Sequence, residues 1–166
     1  MPHEPLLAAL MATPNPNLTS LLLRRAPLTA VHHIVIRTPN LRSLYLFVDN
    51  STSPSPTIAS ELQTVFLACP KLEILAFDDA VNTISAQQCY PFKSLKNLCE
   101  LNLLYTNFEK AALPHFLGCL PKDTLKSFTY DGCDFTTPDL LPFIHHFRNL
   151  ELLSMPDWKR ITALVG

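Results

Sequence analysis

The chain has 166 residues, enough for one domain with a substantial core, and 48% of it is apolar against 16% charged. A formal net charge of −1 leaves no electrostatic footprint for nucleic acid or for an acidic membrane surface. Fifteen prolines against three glycines suggest short elements ended by proline, and five cysteines without a CxxC favour buried thiols in a reducing compartment over a disulfide framework.

The first apolar run, "LLAALMA" (6–12), is too short to span a membrane, and no basic region precedes it. Cytoplasm or nucleus is therefore the expected location. Residues 5–18 read as the end of a helix that leads into "NLTSLLL" (17–23), a strand over 18–23. "NLRSLYL" (40–46) predicts a second strand over 41–46. The polar, proline-rich "DNSTSPSP" (49–56) follows as a surface insertion. "TIASELQTVFLA" (57–68) places Ile58, Leu62, Val65 and Phe66 on one helical face. "KLEILAF" (71–77) then switches to strand alternation over 72–77.

"SAQQCYPFKSLK" (85–96) has no clear period, and "NLCELNL" (97–103) predicts a strand over 98–103. In "TNFEKAALPHFLG" (106–118), Thr106 and Glu109 have the spacing of a capping box, and Pro114 is tolerable only near a first turn. "TLKSFTY" (124–130) predicts a strand over 125–130, and "TPDLLPFIHHF" (137–147) a helix with Thr137 as cap and Pro138 as first residue. "NLELLSM" (149–155) gives the last strand, over 150–155, and residues 157–166 carry no polar cap.

These strand segments are one unit written six times. The leading position is always leucine: Leu18, Leu41, Leu72, Leu98, Leu125 and Leu150. Three residues on stand Leu21, Leu44, Leu75, Leu101, Phe128 and Leu153, and two further Leu23, Leu46, Phe77, Leu103, Tyr130 and Met155. The leading leucines lie 23, 31, 26, 27 and 25 residues apart. This pattern resembles the leucine-rich repeat family, with its LxxLxLxxN/C core. The resemblance implies an α/β solenoid, a horseshoe arc with short parallel strands on the concave face and mainly helical segments on the convex face. It spans residues 1–166 as a single solenoid of about six repeats. The place of the motif's terminal Asn or Cys holds Ala26, Asp49, Ala80, Thr106, Cys133 and Trp158, so no regular asparagine ladder is expected there.

"LACPKLEIL" (67–75) looks like the repeats of F-box/leucine-rich-repeat proteins, where a helix commonly ends in Leu-x-x-Cys-Pro-x-Leu-Glu before the next strand. "FLGCLPKDTLKSF" (116–128) is a looser copy. The resemblance implies a substrate-recognition role in a ubiquitin ligase adaptor. An F-box would dock on a Skp-type adaptor, yet only seventeen residues precede Leu18, so that contact is expected only of a longer form. The chain reads as a fragment, as a gene product truncated at both ends, or as a subunit whose ends meet other protein.

No residue set points to catalysis, to a metal or to a cofactor. Cys69 and Cys119 close helices at equivalent places, with Lys71 and Lys122 as their only near cations, and are expected to pack. His32-His33 and His145-His146 lack the helical spacing of a metal site. Asp78 and Asp79 follow a strand without a calcium-loop pattern. Neither a GxSxG nor a phosphate-binding glycine loop occurs.

The informative surface is the outer face of the strands. Ser43, Tyr45, Phe47, Ile74, Asp78, Glu100, Asn102, Leu104, Ser127, Thr129 and Asp131 are expected to project there and to bind a protein. Tyr45, Phe47, Ile74 and Leu104 would form its apolar centre, and Asp78, Glu100 and Asp131 an acidic rim suited to a basic segment of the partner. The alternative is a repeat scaffold or regulator unrelated to ubiquitin ligases.

Overall fold

In an extended chain the second and third apolar residues of each repeat, two apart, point to one side. The computed structural model, which describes residues 4–47, 58–78, 83–131 and 145–154, uses them in this way. The strands are β1 (Ser20–Arg24), β2 (Ser43–Phe47), β3 (Ile74–Asp78), β5 (Glu100–Leu104), β7 (Ser127–Asp131) and β8 (Leu152–Ser154). They form one six-stranded sheet in the order β1-β2-β3-β5-β7-β8, parallel throughout. The register sets like on like, Leu21, Leu44, Leu75, Leu101, Phe128 and Leu153 in one row and Leu23, Leu46, Phe77, Leu103 and Tyr130 in another. This is a leucine-rich-repeat solenoid.

Burial shows why one unit cannot stand alone. In β2, β3 and β5 the six inward residues are 0% exposed, whereas Leu21 and Leu23 of β1, with a strand on one side only, keep 7% and 8%. Each repeat's core is completed by its neighbours.

The hydrogen-bonded strands begin two residues after the leading leucine, not at it. Each leading leucine instead closes a turn. Its N–H donates to the carbonyl three residues back, as for Leu41 to Thr38 (3.0 Å) and Leu72 to Cys69 (3.1 Å), or four back for Leu125 to Pro121 (3.1 Å). The next carbonyl then takes two donors from the following repeat: Thr19 from Arg42 and Ser43, Arg42 from Glu73 and Ile74, Glu73 from Cys99 and Glu100, Cys99 from Lys126 and Ser127, Lys126 from Glu151 and Leu152.

An asparagine ladder does exist, at the opposite end of the motif from the expected place. The residue before the leading leucine reaches the previous repeat's carbonyl two residues before that repeat's own leading leucine. Asn40 Nδ2 donates to Pro16 O (2.9 Å), Asn97 Nδ2 to Pro70 O (2.8 Å) and Asn149 Nδ2 to Asp123 O (2.5 Å), while Thr124 Oγ1 approaches Lys96 O at 3.4 Å. Lys71 interrupts the series, its Nζ donating to Asn40 Oδ1 at 2.6 Å. These carbonyls precede the sheet and have no ladder partner of their own, so side-chain amides satisfy them.

The chain returns along the convex side through α2 (Leu28–Val35), α3 (Ile58–Leu67), a 3-10 helix (Gln87–Ser94) and α4 (Ala112–Cys119), while α1 (Glu4–Ala12) precedes β1. In α3 the buried residues are Ile58, Leu62, Val65 and Phe66. α2 follows an extended Pro27, and no side chain caps it. The unclear stretch at 85–96 is the 3-10 helix, with Pro91 inside it and Cys89, Pro91 and Phe92 buried. Phe92 ties the convex layer together, its ring edge-on to Phe66, Phe77 and Phe116 at 5.3, 6.3 and 5.0 Å.

The capping box expected at Thr106 is absent. α4 starts at Ala112, because Asn107–Phe108 (β6) first pairs with Thr83–Ile84 (β4) in a small second sheet. Thr106 is fully buried, and its hydroxyl lies 3.0 Å from Leu104 O and 3.4 Å from Phe77 O. The insertion at 49–56, most of the helix expected over 137–147 and residues 157–166 lie outside the described residues. Among the described residues no helix is long and apolar enough to cross a membrane.

Candidate interaction face

With one side of every strand committed to the core, the other side forms the concave face, in three rows across the sheet. The first row is Ser20, Ser43, Ile74, Glu100, Ser127 and Leu152. The middle row is Leu22, Tyr45, Ala76, Asn102, Thr129 and Ser154, and the third is Arg24, Phe47, Asp78, Leu104 and Asp131. All eleven residues singled out from the sequence therefore stand at outward register positions of one sheet. Ser43, Tyr45, Phe47, Ile74, Asp78, Asn102, Leu104, Ser127 and Thr129 are half-buried, and Glu100 is exposed. Of Asp131 the structure describes the backbone position, opposite Leu104.

The face is uneven in character. Apolar residues gather over β1 to β3, where Leu22 is 55% exposed and Tyr45, Phe47 and Ile74 are partly so. The Arg24 guanidinium lies over the Phe47 ring, 5.2 Å from its centre, which holds the one described cation of the face against an aromatic. Ala76, though outward, is buried, a small residue between Tyr45 and Asn102 in the row. Polar residues gather over β5 and β7. The Asn102 Oδ1 is shut off from solvent and accepts no hydrogen bond.

The leading edge of the sheet carries a second feature. Arg42, Lys71, Glu73, Asn97, Cys99 and Thr124, drawn from four successive repeats, line a shallow cleft of about 350 Å³. Arg42 pairs with Glu73, and Lys126 with Glu151 at 3.2 Å. Both pairs are solvent-exposed and add little to stability. The sequence signal for this edge is the recurring Asn-Leu dipeptide at 17–18, 40–41, 97–98 and 149–150.

Of the other candidate groups, Cys69 and Cys89 belong to the packing. Burial pushes the Cys69 thiol up to about 12, and the Cys89 thiol to about 12 with smaller contributions from Cys119 and Glu109. Burial also raises Cys119, against a lowering influence of Lys93. Such thiols stay protonated at neutral pH, the opposite of a reactive cysteine. His32 and His33 project from α2 with ring centres 5.9 Å apart, and among the described residues no group of three or more His, Cys, Asp or Glu could hold a metal ion.

No family model matches the sequence, and no curated protein matches it. Among solved structures the chain is similar to the tropomodulin C-terminal domain of Caenorhabditis elegans, with a TM-score of 0.60 and 9% identity over 98% of this chain and 97% of that one. It is also similar to internalin C2 of Listeria monocytogenes, with a TM-score of 0.48 and 16% identity over 87% of this chain and 65% of that one. The first likeness concerns the fold alone, and the second is too distant to support an argument.

Proposed function

We propose that the chain is a non-catalytic module that binds a protein partner on its concave face. The observation that carries this reading is the outer face itself, with apolar and aromatic residues set beside acidic Asp78 and Glu100 on a rigid parallel sheet. An anchor region bordered by polar groups is what protein interfaces use. A partner segment with basic residues suits the acids.

The finer reading, a relation to the substrate-recognition repeats of F-box-type ubiquitin ligase adaptors in the cytoplasm or nucleus, rests on the Cys-Pro-Lys-Leu-Glu stretch. Each part of it has a place in the repeat: Cys69 and Leu72 are buried, the Pro70 carbonyl takes the Asn97 amide, and Glu73 meets Arg42. The same fact favours a second reading, a repeat scaffold with no ubiquitin link, because a motif explained by packing suits any repeat of this period. A longer form carrying an F-box separates the two. Its co-purification with a Skp-type adaptor, lost when only residues 1–166 are used, supports the first; failure of the longer form to bring down the adaptor removes it.

A further inference from the structure

Asn102 stands at the centre of the middle row, between Ala76 and Thr129. Its Oδ1 is shielded and unpaired. A shielded acceptor without a donor is destabilising, and an apolar side chain of similar size would fill the place without that penalty. On the same strand and the same face, two residues earlier and so about 7 Å away along the backbone, the exposed Glu100 carboxylate forms no ion pair with any described residue.

We propose that Glu100 and Asn102 together seat an arginine from an extended segment of the partner protein, which lies across the strands with its apolar side chains toward Tyr45, Phe47 and Ile74. The proposal rests on the concave face being the binding face. A guanidinium carries five donors in a planar fork, so one arm can reach the carboxylate and another the amide oxygen. A lysine ammonium is a compact, strongly hydrated point charge without that fork. Turning the Asn102 amide outward breaks no bond held by Oδ1, because it holds none. Binding thus supplies the donor that this oxygen lacks within the chain. The one described cation on this face, Arg24, is already stacked on Phe47, which leaves the β5 side acidic and open to a cation.

Random peptides displayed on phage and selected on the whole chain test this. Peptides that lose binding to the Tyr45→Glu variant report on the face. Their expected signature is an arginine at one position beside apolar residues, and replacing it by lysine or citrulline weakens binding by about tenfold or more. On the Asn102→Leu/Glu100→Gln variant, shown folded by a cooperative thermal transition, arginine and lysine peptides bind alike. Face-dependent peptides that carry no arginine, or that tolerate lysine without loss, overturn the arginine seat and leave the face intact. Selection of no face-dependent peptide overturns the concave-face reading, and the seat with it.

Discussion

The side-chain amide of Asn97 donates to the backbone carbonyl of Pro70 at 2.8 Å, one repeat away, and the bond recurs wherever an asparagine precedes a described repeat's leading leucine and a repeat lies before it. The sheet's ladder begins only beyond the leading leucine. This bond extends the inter-repeat pairing to a carbonyl that the ladder leaves open.

Replacing Asn97 by alanine removes that bond and is expected to destabilise the fold by about 1 kcal/mol, read as a lower urea midpoint with an unchanged slope. Lys71→Asn puts an amide back where the series is broken. Its expected effect is neutral to stabilising, by about 0.5 kcal/mol.

Core truncations should follow the burial gradient. Leu75→Ala and Leu101→Ala remove side chains that are 0% exposed and have strands on both sides; each is expected to cost about 2–5 kcal/mol. Leu21→Ala, at the end of the sheet, should cost less. Chemical denaturation of the three variants gives the order.

The thiols make stability fall in alkali. Cys69 and Cys89 lie near 12 in the folded chain against an ordinary value of 9.0. A folded-state value raised above the unfolded one contributes stability that is present below about pH 9 and is lost as the pH climbs toward about 12. Urea midpoints at about pH 7 and about pH 10 are expected to differ, and a Cys69→Ala/Cys89→Ala variant should show a smaller difference.

What the sequence made legible was the stacked part of the repeat. Apolar residues recur at fixed spacing within each copy because each core row needs an apolar side chain from every copy, and α3 showed itself through Ile58, Leu62, Val65 and Phe66. The turns between were harder to read. The ladder asparagines lie before the leading leucine rather than after the strand, so a search at the motif's far end passes them by. Thr106 and Glu109 carry a cap's spacing, yet the chain uses Asn107 and Phe108 for β6 first. Pro91 hid the 3-10 helix, since a proline inside a segment argues against an α-helix. On the concave face, outward direction followed from alternation alone; the unpaired Asn102 oxygen did not, because alternation does not specify the surroundings of a side chain.

Asn102→Leu separates stability from binding. Removing the unpaired oxygen is expected to raise stability by about 1 kcal/mol or more while weakening capture of the partner. A variant that is less stable would show that the amide serves the fold.

The most direct test of the central claim is capture of partner proteins by the whole chain and by an Asp78→Lys/Glu100→Lys/Asp131→Lys variant, with thermal unfolding measured on both. The concave-face account expects the proteins bound by the wild type to be lost or strongly depleted on the variant while the unfolding transition remains cooperative and close to that of the wild type. The same proteins retained in the same amounts on the folded variant would contradict it.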